Sequence, residues 1–186
     1  MNFRQYKHII FDFDETLATL LIDWPKWHEQ IIAIIKKHES NFDESTYLNM
    51  YSIHQYILKY GQAFRDDFVS FETAFEQKYY HGYKLINKTF ALLQKLSQEG
   101  KHIYLLTSNS REVVLPILRE LKIEQLFNKI VTLGDVSNIK PTVEPFALIS
   151  EGLQVNKKEF LMIGDSQSDS GFAANVGIDY LDIKDF

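Results

Sequence analysis

Cysteine is missing from all 186 residues of the chain. Disulfides, thiolate metal sites and a cysteine nucleophile are thereby excluded. Also missing is an unbroken apolar run of the length that spans a bilayer, about 20 residues. The longest candidate, Leu17 to Ile35, is interrupted by Asp23, Pro25, Lys26, His28 and Glu29. Met1 to Lys7 is polar and leads straight into a strand-like segment, with no apolar core of a signal peptide. The expectation is a cytoplasmic protein that does not engage a membrane. An excess of basic charge is lacking too. The formal net charge is -5 and is spread along the chain, so nucleic acid is not expected as a partner. A small anionic substrate is still admissible, because a metal ion can reverse the local field. There is no internal repeat, low-complexity tract or flexible linker. Oligomeric state is left open.

What is present suits a packed core. Apolar residues make up 45% of the chain and aromatics 14%, enough for one domain or one domain with a modest insertion. HIIFDF at 8–13 reads as a buried strand ending in acids. Periodicity predicts a helix over Leu85 to Glu99, stopped by Gly100, and then a second strand over His102 to Thr107. Further along, helices are predicted over 112–121, 143–153 and 169–176, and short strands over 129–133, 159–163 and 179–183. Strands alternating with helices of this length imply a Rossmann-like α/β fold: a parallel sheet covered on both faces. Residues 19–82 break the alternation. Three or four helices are expected there, with Gly61 and Arg65-Asp66-Asp67 marking a turn between them.

In a parallel sheet of this kind the site lies beyond the carboxyl ends of the strands. The predicted strand ends carry Asp12-Phe13-Asp14, Thr107-Ser108-Asn109, the loop to Lys140, and Gly164-Asp165 with Asp169 shortly after. Two carboxylates separated by one residue repel each other, and burial adds a desolvation cost. A divalent cation offsets both, and magnesium favours a few carboxylates together with phosphate oxygens. Phosphoryl transfer asks for this inventory: an in-line nucleophile, neutralisation of the equatorial oxygens, and an acid for the leaving group. Each signal alone has a bland reading. An acid pair after a strand is most often a solvated turn, Thr-Ser-Asn-Ser a helix cap, and Lys-Pro a surface loop. The weight comes from their order, each following a predicted strand.

Those residues resemble the motifs of the haloacid dehalogenase-like hydrolases. FDFDETL at 11–17 is similar to that family's first motif, YLLTSN at 104–109 to its second, Lys140-Pro141 to its third, and IGDSQSDSGFAANVG at 163–177 to its fourth. The resemblance implies a magnesium-dependent phosphatase acting on a small phosphorylated metabolite through an aspartyl-phosphate. It implies Asp12 as nucleophile and magnesium ligand, and Asp14 as general acid and base with its backbone carbonyl on the metal. Thr107 would hydrogen-bond the phosphate with Ser108 and Asn109 beside it, and Lys140 would neutralise charge. Asp165 would bind the metal, with Asp169 supporting it and Thr16 stabilising the loop. The insertion resembles an all-helical cap, giving a core of residues 1–18 and 83–186 and a cap of 19–82, with Arg65 a candidate substrate contact and Phe68, Phe71 and Phe75 the cap's own core.

Two departures from the family pattern stand out: Glu15 where glycine is common, and Ile139 where glycine is frequent. The alternatives are a haloacid dehalogenase, or a non-catalytic binding or regulatory module retaining the fold. Asp14 speaks against the first, since displacing halide needs no protonated leaving group. Retention of every motif residue speaks against the second.

Overall fold

A computed structural model of the protein describes residues 3–185. Seven strands are formed among them: β1 (His8–Phe11), β2 (Ala18–Ile22), β3 (Tyr80–Leu85), β4 (His102–Leu106), β5 (Phe127–Val131), β6 (Phe160–Gly164) and β7 (Asp179–Asp182). The six α-helices are α1 (Trp24–His38), α2 (Met50–Tyr79), α3 (Asn87–Gln98), α4 (Arg111–Glu120), α5 (Glu144–Ile149) and α6 (Gln167–Val176).

Five strands make a parallel sheet in the order β5-β4-β1-β6-β7. β1 is central and buried at every position, as expected of a strand covered on both faces. Its side chains alternate between two cores. Ile9 and Phe11 join Leu93, Leu96, Val114 and Leu118 of α3 and α4, whereas Ile10 joins Phe146, Phe172 and Val176 of α5 and α6. The chain leaves β1 toward β4 and β5 and returns to β6 on the other side, so β1 lies at the point where the winding reverses. The carboxyl ends of β1, β4 and β6 open into one crevice there.

The helices of the core form near the positions expected, with α5 shorter than its periodicity suggested. The departures lie in the segment between β1 and α3. Residues 65–67 are not a turn; the break falls earlier, at Gly61, whose φ of 68° and ψ of -149° are not helical and divide α2 into two helices, with 65–67 inside the second. Among the described residues the segment thus holds three helical pieces, α1 and the two halves of α2, in line with the expected three or four and with a break at Gly61. Residues 44–49 are not helical: the helix begins at Met50, where Asn49 and Ser52 form a reciprocal capping box. α1 begins where the Asp23 side chain accepts from Lys26 N and Pro25 occupies the first turn. Its buried stripe Trp27, Ile31, Ile35 packs on Phe64, Phe68 and Phe75 of α2. Phe68 and Phe75 are therefore core, with Phe71 half-buried beside them.

Two strands had no counterpart in the sequence reading. β2 and β3 pair antiparallel at the root of the helical segment. β2 is only five residues long, and β3 (YHGYKL) carries His81, Gly82 and Lys84 among its apolar residues. Neither shows a clean two-residue alternation, and the pairing that defines them is between residues far apart in sequence, from Ile22 with Tyr80 to Ala18 with Leu85.

Candidate active site

Asp12 directly follows β1, and its N–H still donates to Ile163 O on β6 (2.9 Å). The strand pairing thus carries the carboxylate to the sheet edge, where it is 7% exposed. Lys140 meets it there. Its Nζ donates to Asp12 Oδ1 (2.7 Å), Asp169 Oδ1 (2.6 Å) and Leu106 O (3.2 Å). Burial works against the charge on Lys140, but the adjacent Asp12 and Asp169 outweigh it and hold its pKa above the ordinary lysine value. Burial and the charge of Asp169 push Asp12 well upward, with Lys140 opposing. Removing one partner of such a buried set leaves the others uncompensated.

Carboxylate oxygens of Asp12, Asp165 and Asp169 lie within 4.8 Å of one another. Asp165 is half-buried, and burial followed by the charge of Asp169 raises it to about 6. Hard carboxylate oxygens converging beside a cavity fit a hard divalent cation such as magnesium. Asp169 is the most enclosed of the three. Its second oxygen accepts from Ser166 N (3.1 Å) and Ser166 Oγ (2.5 Å), completing a capping box at the start of α6. Gly164 is required by the same packing: a Cβ there would stand 2.5 Å from Asp169 Cγ.

The carboxylate of Asp14 lies outside that group. The chain turns after Phe13, and Asp14 Oδ1 accepts from Leu20 N (2.7 Å) and Glu15 N (3.1 Å). Burial raises its pKa to about 7, with the Leu20 N–H opposing. Glu15 occupies the left-handed region (φ 54°), a conformation that glycine adopts at less cost. Thr16 is fully buried, with Oγ1 3.5 Å from Asp165 Oδ1.

After β4, Thr107 Oγ1 donates to Asn109 Oδ1 (2.6 Å) and accepts from Asn109 N (3.1 Å). The Asn109 amide turns toward α2 and donates to Glu76 Oε1 (2.8 Å). Ser110 donates to Glu76 Oε2 through both its N–H and its hydroxyl. A cavity of about 420 Å³ lies above this floor, lined by Asp12, Asp14, Ser108, Asn109, Lys140 and Asp165, whereas Thr107, Thr16 and Asp169 stand behind its surface. Arg65 is not among the lining residues. It donates instead to Val136 O (2.5 Å) and Ser137 O (3.3 Å), tying α2 to the loop after β5.

Sequence reasoning missed Glu72 and Glu76. Both are buried on the inward stripe of α2, Glu72 at the cavity wall and Glu76 against the loop after β4. A signal was available: the stripe runs Phe64, Phe68, Glu72, Phe75 and Glu76, and carboxylates on an otherwise aromatic face ask for a reason.

Residues 9–183 match the profile of the haloacid dehalogenase-like hydrolases. Pyrophosphatase PpaX of Bacillus mycoides (strain KBAB4) is 25% identical over 181 residues, which cover 91% of this chain and 79% of that protein. A solved structure from Bacteroides fragilis, assigned as a haloacid dehalogenase-like hydrolase, superposes with a TM-score of 0.63 at 22% identity, over 94% of this chain and 86% of that one. The Bacillus subtilis protein YfnB, solved bound to magnesium, superposes with a TM-score of 0.55 at 21% identity, over 94% and 85% of the two chains. With a profile match along nearly its whole length, and with the four motif segments converging on one edge of a parallel sheet, the chain belongs to the haloacid dehalogenase-like hydrolase family.

Proposed function

We propose that this hydrolase is a phosphatase that cleaves a small phosphomonoester through an aspartyl-phosphate on Asp12, with magnesium as its metal. The observation that carries the reading is the position of Asp12: a buried carboxylate at the end of the central strand, gripped by Lys140 at 2.7 Å, on the floor of the cavity and beside Asp14. The likeness to a pyrophosphatase and to a magnesium-bound relative supports it.

In this reading Asp12 attacks phosphorus in line and the leaving alkoxide takes a proton from Asp14. Asp14 then removes a proton from the water that cleaves the acyl phosphate, which frees phosphate and restores Asp12. A pKa of about 7 suits a group that must give and then take a proton near neutrality. Lys140 offsets charge on Asp12 and the phosphoryl oxygens. Thr107, Ser108 and Asn109 supply donors to the phosphate once the Thr107–Asn109 contact opens. Asp12, Asp165 and the Asp14 main-chain carbonyl would hold magnesium, which when bound supplies positive charge beside the phosphate. Asp169 positions Lys140, and Thr16 braces the loop. Residues 19–82 act as a cap over a core of 1–18 and 83–186, excluding water from the site. The partner is a small phosphorylated metabolite and the location cytoplasmic. Asp14 is the reason to prefer phosphatase over dehalogenase.

The test is rapid quenching of Asp14→Ala with an aryl phosphate and magnesium, followed by intact mass measurement. An activated leaving group barely needs the acid, but the water lacks its base, so the phosphoenzyme accumulates. A gain of one phosphoryl group, absent in Asp12→Asn, is the expected outcome, with steady-state turnover of alkyl phosphates down by about 10²–10⁴-fold. Unimpaired alkyl phosphate turnover by Asp14→Ala, or turnover that survives exhaustive chelation, overturns the scheme.

A further inference from the structure

The floor of the cavity is accounted for by the proposed phosphoryl chemistry; its roof is not. The roof is built from the helical segment and is aromatic: Trp24, Trp27, His28, Tyr47 and Tyr51 line it. Among them stands one carboxyl group, Glu72, 3% exposed. Trp27 Nε1 donates to Glu72 Oε2 (2.7 Å), and this is the carboxylate's one hydrogen bond among the described residues. The other oxygen has no protein donor, and Glu72 faces the cavity.

The unused oxygen still opens onto the cavity, and a ligand that fills the cavity strips water from it at a cost in free energy unless the ligand brings a donor of its own. The aromatic faces around it narrow the choice of ligand, because a cation is drawn both to a carboxylate and to the faces of tryptophan and tyrosine. The rest of the wall points the same way. Asp12, Asp14, Glu15 and Asp165 also line the cavity, and its one lysine or arginine among the described residues is Lys140, already engaged by Asp12 and Asp169. A leaving group bearing a second anion would find no free cation among the described residues at the roof to compensate it. A plain alkyl group would leave the Glu72 oxygen unpaired.

We propose that Glu72 and the aromatic roof form a recognition site for an ammonium group on the alcohol portion of the substrate, so that the preferred substrates are small aminoalkyl phosphates. This rests on the phosphatase reading above and names its substrate class. Burial, then the charge of Glu76, raises Glu72 to about 8 when no cation is present. An arriving ammonium reverses that balance and draws the group to its ionised form. The site thus discriminates by charge as well as by shape, since a neutral or acidic ester leaves a proton on Glu72.

The experiment compares kcat/KM of the magnesium-loaded protein for aminoalkyl phosphates of two to four carbons, the matching alkyl and carboxyalkyl phosphates, pyrophosphate and an aryl phosphate. The aminoalkyl members are expected to exceed the matched alkyl members by about tenfold to a hundredfold, the worth of a hydrogen-bonded charge. In Glu72→Gln that ratio is expected to collapse toward unity, with the loss carried mainly by KM because the contact is remote from the reacting atoms. Equal turnover of aminoalkyl and alkyl members by the unmodified protein, or a preference for pyrophosphate or carboxyalkyl phosphates, overturns this proposal and leaves the phosphatase reading standing. Phosphate release from no member of the panel overturns both. The ratio in the unmodified protein decides the matter even if Glu72→Gln does not fold, and a ratio unchanged in a folded Glu72→Gln also overturns the assignment.

Discussion

At the scale of single residues, the site depends on close approach as much as on charge. Gly164 ends β6 with its Cα against the side chain of Asp169, and a Cβ at that position would lie 2.5–2.6 Å from three Asp169 atoms. Asp169 cannot yield freely, because one oxygen holds Lys140 and the other closes the cap of α6. Gly164→Ala is therefore expected to destabilise the fold by about 1–3 kcal/mol, as overpacking generally does. It should also displace Lys140 from Asp12, lowering turnover by about 10²-fold, a typical result of misplacing a catalytic group by about an ångström. Denaturant unfolding and steady-state assays of the one variant read both effects, and wild-type values in either would refute the packing argument. The sequence showed the glycine as part of a motif. The reason for it, a contact with a side chain five residues later, appears only once α6 folds back over the strand end.

At the scale of elements, α2 connects the helical segment to the core. Glu76 accepts from Asn109 Nδ2, Ser110 N and the Ser110 hydroxyl, spanning from α2 to the loop after β4. These bonds lower the pKa of Glu76 but do not overcome burial, which leaves it raised. Glu76→Ala strips a buried N–H and an amide of their acceptor. The expected loss is about 1–3 kcal/mol, the usual penalty of an unsatisfied buried polar group. Protection of the Ser110 amide in hydrogen exchange should fall with it, because that N–H has no other acceptor among the described residues. A variant with full stability and unchanged Ser110 protection would show that the contact is incidental. The same scale explains where the helical reading of 19–82 went astray. Polar residues at 65–67 suggested a turn, yet Arg65 is satisfied by main-chain carbonyls of 136 and 137, so the helix runs through.

At the scale of the whole molecule, acids with raised pKa values gather around one cavity: Asp14 at about 7, Asp165 at about 6 and Glu72 at about 8, against ordinary values of 3.8, 3.8 and 4.5. The folded state binds these protons more tightly than the unfolded chain. Their stabilising contribution is complete below the ordinary values and is lost as pH rises through the folded ones. In metal-free buffer, Tm is therefore expected to fall as pH climbs from about 4 to about 8. Glu72→Gln should flatten the upper part of that slope. Magnesium, which in the proposed function is held by ionised carboxylates, should raise Tm more at pH 8 than at pH 5.5. At a hundredfold excess over Kd the gain is about 2.7 kcal/mol, or roughly 5–11 °C for a chain of this size. Thermal scans at the two pH values, with chelator and with magnesium, check the signs; a magnesium effect larger at the lower pH would contradict the placement of the cation site.

What the sequence determined by itself was the parallel core and the four strand-end segments. Both follow from local rules: a short apolar run such as HIIF must be buried on both faces, and the residues just after such a run must lie at the sheet edge. Asp12 and Asp165 could be assembled from that logic without coordinates, whereas Lys140, well past the end of β5, was placed only by its order among the motifs. The tertiary structure alone decided which carboxylates meet. Asp14, two residues from Asp12, turns away to the N–H of Leu20, whereas Asp169, 157 positions along the chain, reaches the same lysine as Asp12. It also decided the roof. Glu72 faces the cavity only because the second half of α2 starts afresh after Gly61 and runs unbroken through 65–67, so that the phase of that helix sets where each side chain points. Helix phase and the packing of one element on another are global outcomes, fixed by contacts between residues far apart in sequence, and no local pattern specifies them.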